Sequence, residues 1–275
     1  MKDELTTEHW REHIEGWLGW LKASGKPPLT LALRKTQIRK LAHAFPERSP
    51  WGLRVDDLAG WMATHEWKPE TLKSYRASMR QFYLWAMMTG RTESNPAMLL
   101  PSIRVPAGRP RPAPEAIVKA GRENLDERLA LMVMLGAECG LRCTEIAALR
   151  TDNVIPDDGG WSLEIRGKGG VVRTIPLTDR LASILRCYRR DGYFFPNKTG
   201  GHLSAPYVST LLSRNLDGDW TGHTLRHRFA SVAYRAEKDL RAVQDLLGHS
   251  NPQTTARYCA VPDGAKRAAV MAAAA

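Results

Sequence analysis

Five prolines, Pro101, Pro106, Pro110, Pro112 and Pro114, fall within residues 99–114. Proline lacks the backbone N–H and its ring clashes with a preceding helical turn, so this stretch is neither a helix nor a central strand. It reads as an extended, semi-rigid connector. It divides the 275-residue chain into residues 1–98 and 115–275, each the size of one domain. The connector also carries Arg104, Arg109 and Arg111 and no acidic residue, contributing +3 to a net charge of +11. Each flanking part contributes +4. Two basic domains joined by a basic connector suit a protein that wraps a duplex and neutralises its phosphates. A solvated, merely soluble surface has the same charge pattern.

Several classes are excluded. Hydrophobic residues make up 43% and charged residues 25%, a globular composition. No run approaches 18 uninterrupted apolar residues, so no transmembrane helix and no membrane partner are expected. The start, with Lys2, Asp3 and Glu4, has no apolar signal core, so secretion is not expected, and four cysteines are too few for a disulfide scaffold. A cytoplasmic protein is expected (the host cytoplasm if a phage encodes it).

The first part has helical periodicity throughout. Trp10, Ile14, Trp17, Leu18 and Leu21 mark one helix behind the candidate caps Thr6 and Thr7. Leu33, Ile38, Leu41, Ala42 and Phe45 mark a second, opened near Thr30 and stopped by Pro46. Leu58, Trp61 and Met62 share a face of a third, after Asp56. A fourth begins near Pro69, carries Leu72, Tyr75, Met79, Phe82, Tyr83 and Ala86, and ends at Gly90. The bundle exposes Arg34, Lys35, Arg39, Lys40, Lys73, Arg76 and Arg80, a candidate phosphate-contacting face in which Lys73, Arg76 and Arg80 join the connector arginines.

The second part mixes elements. Residues 161–166 and 171–175 alternate with period two around Gly167-Lys168-Gly169-Gly170, which predicts a hairpin with Lys168 at its tip. Helices are predicted over 129–137, 145–149, 181–188, 206–216, 225–236 and 240–247. Another turn or helix from Asn251 carries Tyr258, and an Ala-rich tail covers 265–275. The expected fold class is mostly α with a small β-sheet (α+β).

Three polar clusters place cations beside glycine or at a helix start: Gly140-Leu141-Arg142-Cys143-Thr144-Glu145, Thr221-Gly222-His223-Thr224-Leu225-Arg226-His227, and Leu247-Gly248-His249-Ser250 followed by Tyr258. Helix N-termini bind anions, and an arginine there adds a forked donor. Glu145 is within reach of the Arg142 guanidinium. His223 and Arg226, three apart, share a helix face. Singly, each is as readily an ordinary surface or core residue. Together they suit phosphoryl transfer to a side-chain oxygen: Arg142, Arg226 and His249 neutralise a pentacoordinate phosphate, Tyr258 attacks, and His223 or Lys168 moves protons.

These three segments, read through His227-Arg228-Phe229-Ala230 and Asn251-Pro252-Gln253-Thr254-Thr255-Ala256-Arg257-Tyr258, resemble the signature boxes of the tyrosine recombinases, the phage integrase family. Lys168 falls where that family keeps its catalytic lysine. The resemblance covers 115–260, and the helices of 1–98 resemble the family's core-binding (SAM-like) domain. It implies a catalytic domain with a C-terminal tail over 115–275, behind a 99–114 linker. It also implies that Tyr258 cleaves one strand and holds a 3′-phosphotyrosyl bond. Arg142, Arg226 and His249 stabilise the non-bridging oxygens, Lys168 protonates the leaving 5′ oxygen, His223 assists at the tyrosine, and Glu145 supports them. Neither metal nor other cofactor is implied. The implied partner is double-stranded DNA bearing core-type attachment sites, engaged by a homotetramer on paired sites through a Holliday junction, with a directionality factor as a further partner. The chain resembles a minimal integrase without an arm-binding domain, and its tail is expected to dock on a neighbouring protomer. Phage integration and excision is the first reading. Xer-like resolution of plasmid or chromosome dimers, or a type IB topoisomerase-like activity, is the alternative.

Arg228, Gly222, Cys143 and Thr144 depart from the family's usual residues without removing a catalytic group, and Arg228 is a candidate extra phosphate contact. Zinc on Cys139, Cys143, His223, His227 and His249 matches no common ligand spacing. A non-enzymatic DNA-binding protein leaves the arginine, histidine and tyrosine set unexplained.

Overall fold

The computed structural model describes residues 8–106, 110–124, 126–167, 170–187, 192–248 and 271. It forms two compact units, Met1–Ala107 and Gly108–Ala275, dividing inside the proline-rich connector. Among the described residues no helix is long and apolar enough to cross a membrane.

The N-terminal unit packs α1 (Glu8–Ala23), α2 (Pro28–Ala44), α3 (Val55–Ala63) and α4 (Pro69–Met88) around an aromatic core. Phe82 lies at its centre, with the rings of Trp10, Trp17, Trp51, Tyr83 and Trp85 around it at 5.4–6.1 Å. Two of their polar tips are served from within: the Trp10 indole donates to the Arg48 carbonyl at 2.9 Å, and the Tyr83 hydroxyl donates to Pro50 O at 2.9 Å. All four expected helices are present; the expected caps Thr6 and Thr7 lie outside the described residues. One assignment changes: α2 starts at Pro28, where proline suits the first helical turn, and Leu33 is exposed. Its buried stripe is Gln37, Ile38, Leu41 and Ala42, and Leu33 lies at the edge of that stripe, one turn before Gln37.

The connector is shorter than its proline content suggests. Leu100 is buried in the N-terminal core, with Ile103 packed beside it. Ala113 is buried in the C-terminal core, and its N–H donates to Thr224 O at 3.0 Å.

The C-terminal unit contains α5 (Glu115–Arg122), α6 (Glu127–Glu138), α7 (Cys143–Ala147), β1 (Val154–Asp157), β2 (Gly160–Arg166), β3 (Val172–Pro176), α8 (Asp179–Arg186), α9 (Ala205–Asn215), α10 (Gly222–Glu237) and α11 (Leu240–Leu247). The sheet is antiparallel in the order β1-β2-β3. The expected hairpin pairs Leu163 with Ile175 and Ile165 with Arg173. Two elements are not evident in the sequence pattern. α5 starts directly after the proline run and packs Ile117 and Val118 into the core, with Gly121 pressed against Val133. β1 contains Pro156 and is an edge strand, where a missing N–H is tolerated. Helix α6 is buried along Leu129–Ala137 and is the spine of this core. α7 begins two residues earlier than expected because Glu145 takes its third position and accepts the Arg142 N–H at 2.8 Å. The segment carrying Tyr258 lies outside the described residues, as does the tail apart from Met271.

Candidate active site

Two residues past the end of α6 lies Gly140, whose φ of +63° is a left-handed conformation that glycine tolerates. A Cβ there would lie 2.4 Å from Phe229 and 3.0 Å from Leu247. The tight turn brings Arg142 to the start of α7 and lets α10 and α11 close over it.

One carboxylate organises the site. Glu145 is buried, with a side chain 6% exposed, and two arginines grip it. Arg142 Nη1 donates to Oε1 at 2.8 Å, and Arg173 forks across both oxygens at 3.0 and 2.9 Å. The Arg226 guanidinium lies 3.8 Å from Oε2. A buried carboxylate is costly unless paired, and the fork geometry of arginine meets that need. Burial works to raise the Glu145 pKa, but the hydrogen bonds and charges of Arg173 and Arg142 outweigh it and leave the group below the usual carboxylate range.

The same three arginines hold the end of α11. Arg173 Nε donates to Leu246 O at 2.8 Å, Arg226 Nη2 to Leu247 O at 2.6 Å, and Arg142 Nη2 to Gly248 O at 3.5 Å. The last carbonyls of a helix lack intrahelical partners and carry the negative end of its dipole, so cations there are stabilising. Arg226 Nη1 also donates to Gly140 O at 2.5 Å, fixing the turn that carries Arg142. Three positive charges and one negative leave a surplus of two. A phosphodiester, which gains negative charge as it becomes pentacoordinate, is complementary to that field.

His223 lies in the first turn of α10, after a Thr221–Thr224 cap. Partial desolvation, with the charges of Arg226 and Arg142, lowers its pKa. Its ring meets that of His227 edge to face, 4.2 Å between centroids. His227 Nδ1 accepts the Arg111 N–H at 3.1 Å, so its own proton sits on Nε2. Burial, and then the nearby His223, push the His227 pKa down to about 4. The segment before α5 is thus pinned to the helix that carries His223 and Arg226.

Of the expected residues, the structure brings together Arg142, Glu145 and Arg226, with His223 on the same helix as Arg226. Lys168, His249 and Tyr258 lie outside the described residues, although the flanking Gly167 N–H donates to Val171 O at 2.8 Å and closes the hairpin. Sequence reasoning missed Arg173. Its signal was the strand alternation itself: on β3 it is in phase with the buried Ile175, a charge on the inward face.

The other basic candidates are differently engaged. Lys73 and Arg104 are exposed, and Arg109 lies outside the described residues. Arg76 donates through Nε and Nη2 to Leu100 O at 3.1 and 2.8 Å, Arg80 lies against the Met98 sulfur at 3.0 Å, and the Arg111 guanidinium covers the Trp220 ring at 4.4 Å. Arg228, the candidate extra phosphate contact, donates to Ala137 O at 2.9 Å and to Glu115 at 2.6 Å. Two of the family departures touch, since a Cβ on Gly222 would lie 2.6 Å from Cys143 Sγ. Among the described residues no three His, Cys, Asp or Glu side chains converge as a metal site. The Cys139 thiol is buried, which pushes its pKa to about 12.

Residues 114–264 match the family model of the phage integrases. The tyrosine recombinase XerC of Chromobacterium violaceum is 32% identical over 276 residues, covering 91% of this chain and 90% of its own length. XerD of Ralstonia nicotianae is 29% identical over 275 residues, covering 92% and 82%. A lambda integrase dimer bound to a COC′ core site has a similar fold, with a TM-score of 0.73 and 18% identity over 90% of this chain and 94% of that one. The family match and the XerC relative define an enzyme class, the tyrosine recombinases, which transfer DNA strands and need no metal ion. The chain belongs to the phage integrase family of tyrosine recombinases.

Proposed function

We propose that this enzyme is a site-specific recombinase that cuts and rejoins double-stranded DNA at core-type sites through a 3′-phosphotyrosyl intermediate. The convergence of Arg142, Arg173 and Arg226 on Glu145 and on the end of α11 carries the reading, because it concentrates positive charge where a phosphodiester would react. Tyr258 Oη attacks phosphorus as the bond to the 5′ oxygen breaks. The phenolic proton passes toward His223, and Lys168 supplies a proton to the leaving 5′ oxygen. Arg142, Arg226 and His249 hold the non-bridging oxygens. The phosphotyrosyl bond retains the energy of the phosphodiester, so a 5′-hydroxyl from a partner strand religates the ends and gives a Holliday junction. Four protomers on two paired sites supply four tyrosines, and a directionality factor would bias the exchange.

Phage integration and excision in a host cytoplasm is the first reading of the biological use. Resolution of plasmid or chromosome dimers is the second, and the XerC and XerD relatives favour it. The test is a library of nicked duplexes incubated with the protein in EDTA. An SDS-resistant adduct mapping Tyr258 to a 3′ phosphate is expected. DNA binding with no adduct from any duplex would overturn the tyrosine assignment. On the recovered site, recombination between two identical repeats points to resolution, and a requirement for two unlike sites points to integration.

A further inference from the structure

Arg173 is the most deeply engaged cation of the site that the proposed chemistry does not use. It is 8% exposed, sits on β3 after the Lys168 hairpin, and ties three elements together. Its Nη1 and Nη2 fork onto both oxygens of Glu145, while Nε holds Leu246 O at the end of α11. It also touches the turn after α11: a Cβ on Gly248 would lie 3.0 Å from Arg173 Cδ.

Resting on the recombinase function proposed for this chain, we infer that Arg173 is a positioning residue that sets how the Arg142 guanidinium is presented to the reacting phosphate. Each Glu145 oxygen accepts one bond from Arg142 and one from Arg173: Oε1 takes Arg142 Nη1 and Arg173 Nη1, and Oε2 takes the Arg142 N–H and Arg173 Nη2. Arg173 and Arg142 therefore share the carboxylate charge. Without Arg173, Glu145 is a buried anion with Arg142 as its nearest cation, and a buried unpaired charge draws its remaining partner in tightly. The Arg142 fork would then close on Glu145 in preference to the phosphate. The Leu246 carbonyl would lose its donor at the same time, loosening the strand-to-helix bridge that leads into residue 249. Lysine does not replace this arrangement, because a point donor cannot bond two carboxylate oxygens and a carbonyl in one plane.

The experiment measures single-turnover adduct formation and half-site binding on the duplex that the nicked library yields, for full-length wild type, Arg173→Lys, Arg173→Gln, Glu145→Gln and Glu145→Gln/Arg173→Gln, with thermal melts of each. Arg173→Gln is expected to slow cleavage about 10- to 100-fold, the scale of losing hydrogen-bond support behind a reactive group. Half-site binding should stay within about threefold of wild type, since the phosphates that dominate affinity lie elsewhere. In the Glu145→Gln background the Arg173→Gln loss should shrink to a small factor, because the two residues act as one unit. Arg173→Lys should recover folding and only part of the rate. Cleavage at the wild-type rate in Arg173→Gln or Arg173→Lys contradicts the inference. So does a parallel loss of binding and cleavage, or losses that multiply in the double variant, since those are the marks of a purely structural arginine. If Arg173→Gln does not fold, Arg173→Lys carries the test. A nicked library from which wild type yields no adduct on any duplex it binds counts against the recombinase function instead.

Discussion

The parts on either side of the connector carry the same net charge, +4, and use their arginines differently. In the N-terminal unit Arg34, Arg48, Arg76 and Arg91 act as single clasps. Arg34 joins α2 to α4 through Ser74 O and Ser78 Oγ, at 3.2 and 2.5 Å, within a network that includes Gln37. Arg48 grips Asp57 at 2.7 Å and Arg76 holds Leu100 O. Arg91 lies over the Trp85 ring at 4.5 Å. In the C-terminal unit Arg142, Arg173 and Arg226 share one carboxylate and one helix end. A lone arginine satisfies an acceptor; three arginines with one carboxylate build a field with positive charge left over. Net charge, +4 on either side of the connector, does not register that distinction.

The largest effect that separates the two uses is on chemistry. Arg142→Ala and Arg226→Ala should each slow strand cleavage by about 10²–10³, the scale for losing one donor to a developing oxyanion. Rapid-quench adduct formation measures it, and Arg34→Ala run alongside should match wild type once DNA is bound. Next comes the turn on which the site is built. Gly140→Ala combines a left-handed backbone with overlap against Phe229 and should cost about 2–4 kcal/mol of stability, read as a lowered denaturation midpoint. Arg34→Ala should cost about 1–3 kcal/mol by leaving Ser74 and Ser78 without their donor. An unchanged midpoint would show that this clasp is not structural.

A smaller, pH-dependent effect belongs to His227. Its folded pKa, about 4, lies below the ordinary 6.5, so the unfolded chain takes up its proton first on acidification. Stability from this group is fully present above pH 6.5 and is lost as pH falls toward 4. Melts across that window should flatten in His227→Asn. Glu145 adds a further loss at lower pH, as its depressed carboxylate protonates. The smallest effect is that of Lys73, exposed on α4: Lys73→Ala should reduce the salt dependence of DNA binding by about one unit of slope and leave cleavage of bound DNA unchanged.

Much of the fold was legible because its signals are local. Trp10, Ile14, Trp17 and Leu21 repeat at helical spacing, and the glycines at 90 and 248 mark helix ends with positive φ. The hairpin was legible from alternation around 167–170. The site's membership was legible in part: Arg142, Glu145 and His223 lie beside glycines or helix starts, and Arg226 is three residues from His223. The division of labour was not. Arg34 and Arg76 have the same local sequence character as surface cations, and only the approach of α4 and Leu100 turns them inward. Arg173 was hidden for the converse reason, because its partner Glu145 is distant in sequence and only the tertiary fold brings them together. α5 was missed because it starts directly after Pro114, at the end of the proline run, and β1 because it is four residues long and contains Pro156.

The most direct test is a side-by-side measurement of adduct yield on one duplex in EDTA for Arg142→Ala, Arg226→Ala, Arg34→Ala and Arg76→Ala, each at saturating protein. The first two are expected to bind the duplex and form almost no adduct, while the last two form it at the wild-type rate. Wild-type adduct formation by Arg142→Ala, or its loss in a folded, DNA-bound Arg34→Ala, would contradict the division between a catalytic arginine cluster and structural arginine clasps.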